Sequence, residues 1–321
     1  PLHANFSLNA DGEYLGLYRP ESPTPDSEFS PVYPAQKADI SFGIGDSGFL
    51  YFSAPTPGAP NGAGFGNFVA DTKFSHKRGF YDEAFDLVIT CKTADATIRY
   101  TTNGATPTAT TGIVYTGPIP IPGTRVIRAA AFKDGLQPSG VDTQTYLFPA
   151  DVFTQAADGK APPGWPSSWG ANVVNYGMDP DVVNSPLYRD ELRKALASLP
   201  SFVIVTDFKN LFDSVRGIYA NPQNDARAWE RPASVELLNP DGKDSFQINC
   251  GLRIRGGYSR STSNPKHAFR IIFRSDYGSG KLSYPIFPWD VTAATEFDKF
   301  DVQTAQNYSW SLHGDAGNVF L

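Results

Sequence analysis

The residues best suited to chemistry lie near the end of the chain, in the run GLRIRGGYSRSTSNPKHAFRIIFR from Gly251 to Arg274. Leu252 and Ile254 alternate with Arg253 and Arg255. Phe269, Ile271 and Phe273 alternate with Arg270, Ile272 and Arg274, so both flanks carry the period of two expected of strands. The loop between them is built from Gly, Ser, Thr, Asn and Pro, a composition that lets backbone amides turn toward an anion. Each charge-assisted hydrogen bond to a phosphate is worth about 1.5–3 kcal/mol, which rewards clustering donors in one place. The candidate binding residues are Gly256, Gly257, Ser259, Arg260, Lys266 and Arg270, with Arg255 as a further donor. The competing reading is a solvated hairpin edge, whose Lys and Arg discourage pairing with other sheets. Neither GxGxxG nor GxxxxGK[ST] occurs.

The basic run stands out because the whole chain is acidic: 321 residues carry a net charge of -6 and a pI near 5.2. That balance argues against a general nucleic-acid binder and favours a local anionic ligand. The length allows two or three domains with sizeable cores. Gly 29, Pro 27, 13% aromatic and 19% charged residues favour many short strands joined by turns. No apolar run is long enough for a transmembrane helix. The chain opens at Pro1 without methionine or signal peptide and reads as a piece of a longer precursor. Cys91 and Cys250 are too far apart for a zinc ribbon or redox pair. Each sits in an apolar strand and is expected as a buried thiol, a disulfide between them being unsupported.

Other candidate chemistry is sparse. Glu230 or Glu236 could orient Lys266, although a solvated or turn-anchoring role suits either carboxylate better. In a regular strand His267 points away from Lys266, so it is read as neither ligand nor base. Asp179, Asp181, Asp241 and Asp244 lie in turn-rich segments where capping accounts for them, with structural Ca2+ as the alternative. Asn5 and Asn307 are glycosylation sequons.

The elements before the basic run are mostly strands. In residues 1–62, Asp11-Gly12 marks a turn before the alternation of Tyr14, Gly16 and Tyr18, and a second strand is expected around Phe49 to Phe52. NFSLNADGEYLGLY, YPAQ with the later SFG, and PTPGAPN resemble the carboxy-terminal half of a lamin-tail domain, an immunoglobulin-like module. Residues 63–78 read as a linker or first edge strand. Strands are expected at Phe85 to Cys91, Thr97 to Thr101, Thr124 to Lys133 and Thr143 to Phe148. They are divided by turns at Asn103-Gly104, Pro122-Gly123 and Asp134-Gly135, and residues 79–149 make one small sandwich. IRYTTNGATPT, Tyr115 and IRAAAFKDGLQPS resemble the carboxy-terminal module of chitobiase and β-hexosaminidase, also seen as a fibronectin-type-III-associated repeat. In that family the module is an appended, noncatalytic domain. No supported carboxylate pair makes the chain a glycosidase.

Residues 150–198 read as a connector and helix. The Pro- and Trp-rich stretch to Trp169 is an extended segment packed by its aromatics, and Leu187 to Leu199 has helical spacing closed by Pro200. SFVIVTDF is expected as a buried strand from its unbroken apolar run, and Asn210 or Asp207 as the cap of the turn NLFD.

Beyond Trp165 the runs WGANVVNYGMDPDVVN, LPSFVIVTDFKNLFD, GIYANP, WERPASVELLNPDG, FQINCGLRIRGGYSR, PKHAFRIIFRSDYG and KLSYPIF resemble the CotH family, atypical spore-coat protein kinases found also in large secreted bacterial proteins. The resemblance implies a kinase amino-terminal lobe over residues 199–321, in which the glycine-rich loop covers nucleotide phosphates and Lys266 neutralises them. It implies ATP and Mg2+ as cofactors. The acidic residues that hold metal and transfer the phosphoryl group fall beyond Leu321, so no catalytic residue is expected in this stretch and these 321 residues alone are expected to be inactive. The expected fold is mainly β and multidomain: two immunoglobulin-like β-sandwiches followed by an α+β kinase-like N-lobe. The expected function is a bacterial protein, extracellular or at the cell surface, with an ATP-dependent kinase domain acting on an unidentified protein. The alternative is a noncatalytic adhesive or structural component that assembles with partners at the surface.

Overall fold

The computed structural model describes residues 6–9, 11–36, 40–156, 158–169, 172–174, 176–240, 242, 245–262, 264 and 266–304. The sequons at Asn5 and Asn307, and Asp241 and Asp244, lie outside them. The chain divides into two compact units, Pro1–Asn67 and Phe68–Leu321. It is rich in strand, with several separate sheets.

In the first unit two short antiparallel ladders form, Leu15–Leu17 with Ser27–Phe29 and Ser41–Gly45 with Gly48–Phe52. Aromatic rings hold them together: Phe29 and Phe49 lie 5.0 Å apart, and Phe42 and Tyr51 4.9 Å apart. The expected Asp11-Gly12 turn is present, with Gly12 at φ +101 and its N–H donating to Asn9 O.

The second unit begins with a sandwich. One sheet contains β1 (Gly79–Phe80), β2 (Thr97–Thr101), β3 (Ile113–Val114), β4 (Arg125–Phe132) and β5 (Asp142–Leu147), in the order β3-β2-β4-β5-β1. Facing it are the ladders Phe85–Leu87 with Ile119–Ile121 and Lys73–Phe74 with Ile89–Thr90. The expected strand from Phe85 to Cys91 breaks at Val88 because its halves pair with different partners, while Val88 exchanges bonds with Ser75. Val69, Leu87, Ile121, Ile127 and Tyr146 fill the core. Val69 and the Lys73–Phe74 strand therefore make much of the expected linker part of the sandwich.

A helix not anticipated from sequence, α1 (Pro149–Thr154), follows β5 directly. Proline at its first position costs nothing, since that N–H has no partner inside a helix. After it come α2 (Pro180–Val183), capped by Asp179, and α3 (Arg189–Ser198). Trp165 packs edge-on against Tyr176 and Phe208 and tilted against Phe212, as the aromatic connector predicts. The short helix α4 (Phe208–Phe212) is capped by Asp207, whereas Asn210 lies buried inside it and binds Thr206 and Pro232 O.

A five-stranded antiparallel meander completes the unit: β6 (Ser201–Val205), β7 (Arg231–Leu238), β8 (Phe246–Ile254), β9 (Phe269–Ile272) and β10 (Lys299–Val302), adjacent in chain order. One face is apolar and carries Ala233, Val235, Cys250, Leu252, Ile254 and Ile271 into a second core. The other face is polar, with Ser234, Glu236, Gln247 and Asn249. β6 is an edge strand, and its apolar run is only partly buried. Cys250 is buried and Cys91 half-buried; both are free thiols. Among the described residues no helix is long and apolar enough to cross a membrane.

Candidate anion-binding site

The expected alternation across β8 and β9 is present. Leu252, Ile254, Phe269, Ile271 and Phe273 point into or against the second core, leaving Arg253 and Arg270 as register partners on the polar face. Where β8 ends, Gly256 takes φ +80, a left-handed conformation that a side chain would strain. The chain then makes a single 3-10 turn, Tyr258–Arg260.

These elements enclose an open cleft of about 490 Å³, lined by Asp225, Arg253, Arg255, Gly256, Gly257, Arg260 and Arg270, among others. That volume falls within the range of ordinary small-molecule pockets. Four arginines face one aspartate among its lining residues, which makes it a basic cleft on an acidic chain.

The arginines are held in different ways. Arg270 grips Asp301 with two bonds, Nε to Oδ1 at 2.7 Å and Nη2 to Oδ2 at 3.0 Å, and Arg255 Nε reaches the same Oδ2 at 2.9 Å. Hydrogen bonding from Arg270, and then from Arg255, holds the Asp301 carboxyl below its ordinary range. Arg260 is spent on structure: it donates to the carbonyls of Pro222, Asn224 and Ile254 and pairs with Asp225 at 2.9 Å. Arg253 is held most loosely, 3.9 Å from both Asp225 and Glu230.

Of the six residues expected to bind the anion, Gly256, Gly257, Arg260 and Arg270 line this cleft. Ser259 is buried, and its Oγ accepts the Ala268 N–H at 2.7 Å. Lys266 is exposed and is not among the lining residues. It was expected where the second strand begins, but β9 starts at Phe269. The reason is local: His267 and Ala268 bond back to Ser259, and Arg255 N–H takes the Ala268 carbonyl.

Sequence reasoning missed the role of Glu230. Expected as a solvated or turn carboxylate, it is buried beneath the polar face, 3.0 Å from Arg274 Nε, and Oε2 has no hydrogen-bond partner among the described residues. Space for it comes from Gly251, where an added Cβ would lie 2.6 Å from Glu230 Oε1. Burial, and then the Glu230 carboxylate, push the Tyr277 phenol up to about 12. Neither Glu230 nor Glu236 pairs with Lys266; Glu236 binds Arg78 instead.

His267 is 1% exposed, its Nδ1–H donating to Ser259 O and its ring 4.7 Å from Tyr219. Burial lowers its pKa below the ordinary value. In the window below about pH 6.5 the unfolded chain therefore binds a proton that the native chain refuses, and stability falls as pH falls. The free energy of unfolding in urea should drop between about pH 7 and 5.5 by an amount that His267→Gln removes, up to about 1.4 kcal/mol per pH unit. A slope unchanged in the variant contradicts this.

Among the described residues no three His, Cys, Asp or Glu side chains gather as a metal site. Asp179 accepts the Asp181 N–H as a cap, the role expected of it.

Residues 76–143, which lie within the sandwich, match the family described as chitobiase/beta-hexosaminidase C-terminal domain. No curated protein and no solved structure matches the chain.

Proposed function

We propose that the chain belongs to a modular extracellular bacterial protein in which the carboxy-terminal meander is a CotH-like, kinase-related sheet that binds the phosphates of a nucleotide. The observation that supports this reading best is the basic cleft at the end of β8, where Arg253, Arg255 and Arg270 gather beside the Gly256-Gly257 turn. Arg253 is the principal phosphate donor, being the arginine least committed to protein carboxylates. Lys266 serves at the rim. Phosphoryl transfer, with Mg2+ held by acidic residues of the family's later segment, is the activity of the whole protein in this reading.

Labelled ATP with Mg2+ tests it. Loss of one charge-assisted bond of about 1.5–3 kcal/mol should weaken binding about 10- to 150-fold in Arg253→Ala, and less in Lys266→Ala. Equal binding by wild type and Arg253→Ala rejects the cleft, and equal binding by Lys266→Ala removes the lysine from it.

A second reading, a noncatalytic surface or adhesive scaffold, is favoured by how far the cleft is already satisfied: Arg260 is bound to three carbonyls, and Arg255 and Arg270 both hold Asp301. It predicts no ATP binding by wild type at millimolar concentration.

A further inference from the structure

The polar face of the meander does not look out on solvent where the sandwich meets it. Glu236, on β7 next to the edge strand, is 0% exposed, and its carboxylate is satisfied entirely from the sandwich. Arg78 Nε donates to Oε1 at 2.9 Å, Thr145 N–H to Oε1 at 3.1 Å, and the Thr145 hydroxyl to Oε2. Arg78 is itself fixed by donating from Nη2 to Thr143 O at 3.0 Å, while its own N–H donates to Gln144 Oε1 at 2.8 Å. On the same face Asn249 reaches Val141 O at 3.4 Å, and Ser234 receives Gln247 Nε2 at 2.8 Å.

At the other end of the contact, the Asn103-Gly104 turn presses on the start of α4. Thr206 O lies 2.4 Å from where a Gly104 Cβ would stand. Arg128, 5% exposed, braces that turn by donating to Gly104 O at 2.9 Å and Thr106 Oγ1 at 3.1 Å.

We infer that the chitobiase-type sandwich is a dedicated partner of the meander's polar face, recognising it through Arg78, Thr145 and the Gly104 turn. The two modules assemble as one body even without a covalent link. A carboxylate buried at Glu236 is tolerable only when an arginine and a hydroxyl arrive together from outside the sheet. Among the described residues the donors to Glu236 come from the sandwich, and its neighbours on the face, Ser234 and Gln247, are bonded to each other. The sandwich is thus a fitted half of the structure and more than an appendage.

The test inserts a protease site between Lys160 and Ala161, in the exposed segment after α1, and cleaves the folded chain. The two pieces should co-elute in size exclusion. With Arg78→Ala the dissociation constant should rise at least about 100-fold, and Arg78→Met with Glu236→Met should restore association. Separation of the wild-type pieces, soluble or as a precipitate, overturns the inference. So does association that Arg78→Ala leaves unchanged.

Discussion

Replacing Arg78 with alanine should destabilise the unit from Phe68 onward by about 3–5 kcal/mol, the cost of leaving a buried carboxylate without its cation. Arg78 is 14% exposed at the side chain and Glu236 0%, so water cannot take the arginine's place without opening the contact. The penalty should depend on pH in a particular direction. Burial raises the Glu236 pKa, and the bonds from Thr145 and Arg78 oppose that rise. Without Arg78 the carboxyl titrates higher still, and a protonated Glu236 needs no cation. The difference between wild type and Arg78→Ala should therefore be greatest near neutrality and shrink as pH falls toward 5. Urea unfolding followed by tryptophan fluorescence measures it, and a neutral-pH difference below about 1 kcal/mol would refute the buried-pair argument.

Gly104→Ala should cost about 2–5 kcal/mol, from two sources. At φ +79 an L side chain is strained by about 1–2 kcal/mol, and forcing its Cβ against a packed backbone adds about 1–3. The obstructing atom is the Thr206 carbonyl oxygen, which cannot swing aside as a side chain could. By contrast Gly135, also at φ +79, meets nothing within 4 Å, so Gly135→Ala should show only the conformational part. Equal losses in the two variants, measured by thermal unfolding, would show that the contact with Thr206 contributes nothing.

Much of the sandwich could be read directly from sequence because its signals are local. Asn103-Gly104 and Asp134-Gly135 mark tight turns by chemistry, and they bound the strand-forming stretches on either side. Thr97–Thr101 was predicted to the residue, and β4 and β5 to within one residue at each end. The alternation of Arg253, Arg255 and Arg270 with apolar neighbours likewise placed the basic cleft on one face of a hairpin. What sequence could not supply was pairing at a distance. Glu236 lies 158 residues from Arg78, and nothing in either neighbourhood announces the other. β6 was misread for a related reason: Phe202 and Ile204 face the second core while Val203 and Val205 lie on the same face as Glu236 and Ser234. An unbroken apolar run reports that both faces are covered and says nothing of whether the strand is central or at an edge.

The strand β5 runs from Asp142 to Leu147, whereas the family match stops at residue 143. A recombinant fragment trimmed to the matched span would cut this strand after its second residue. It would discard Tyr146, whose ring is 0% exposed, and at the other end Val69, also 0% exposed. Such a fragment should be expressed as an aggregate, whereas the longer piece bounded at Phe68 and Thr154 keeps Val69, Tyr146 and the whole of β5 and should stay in solution.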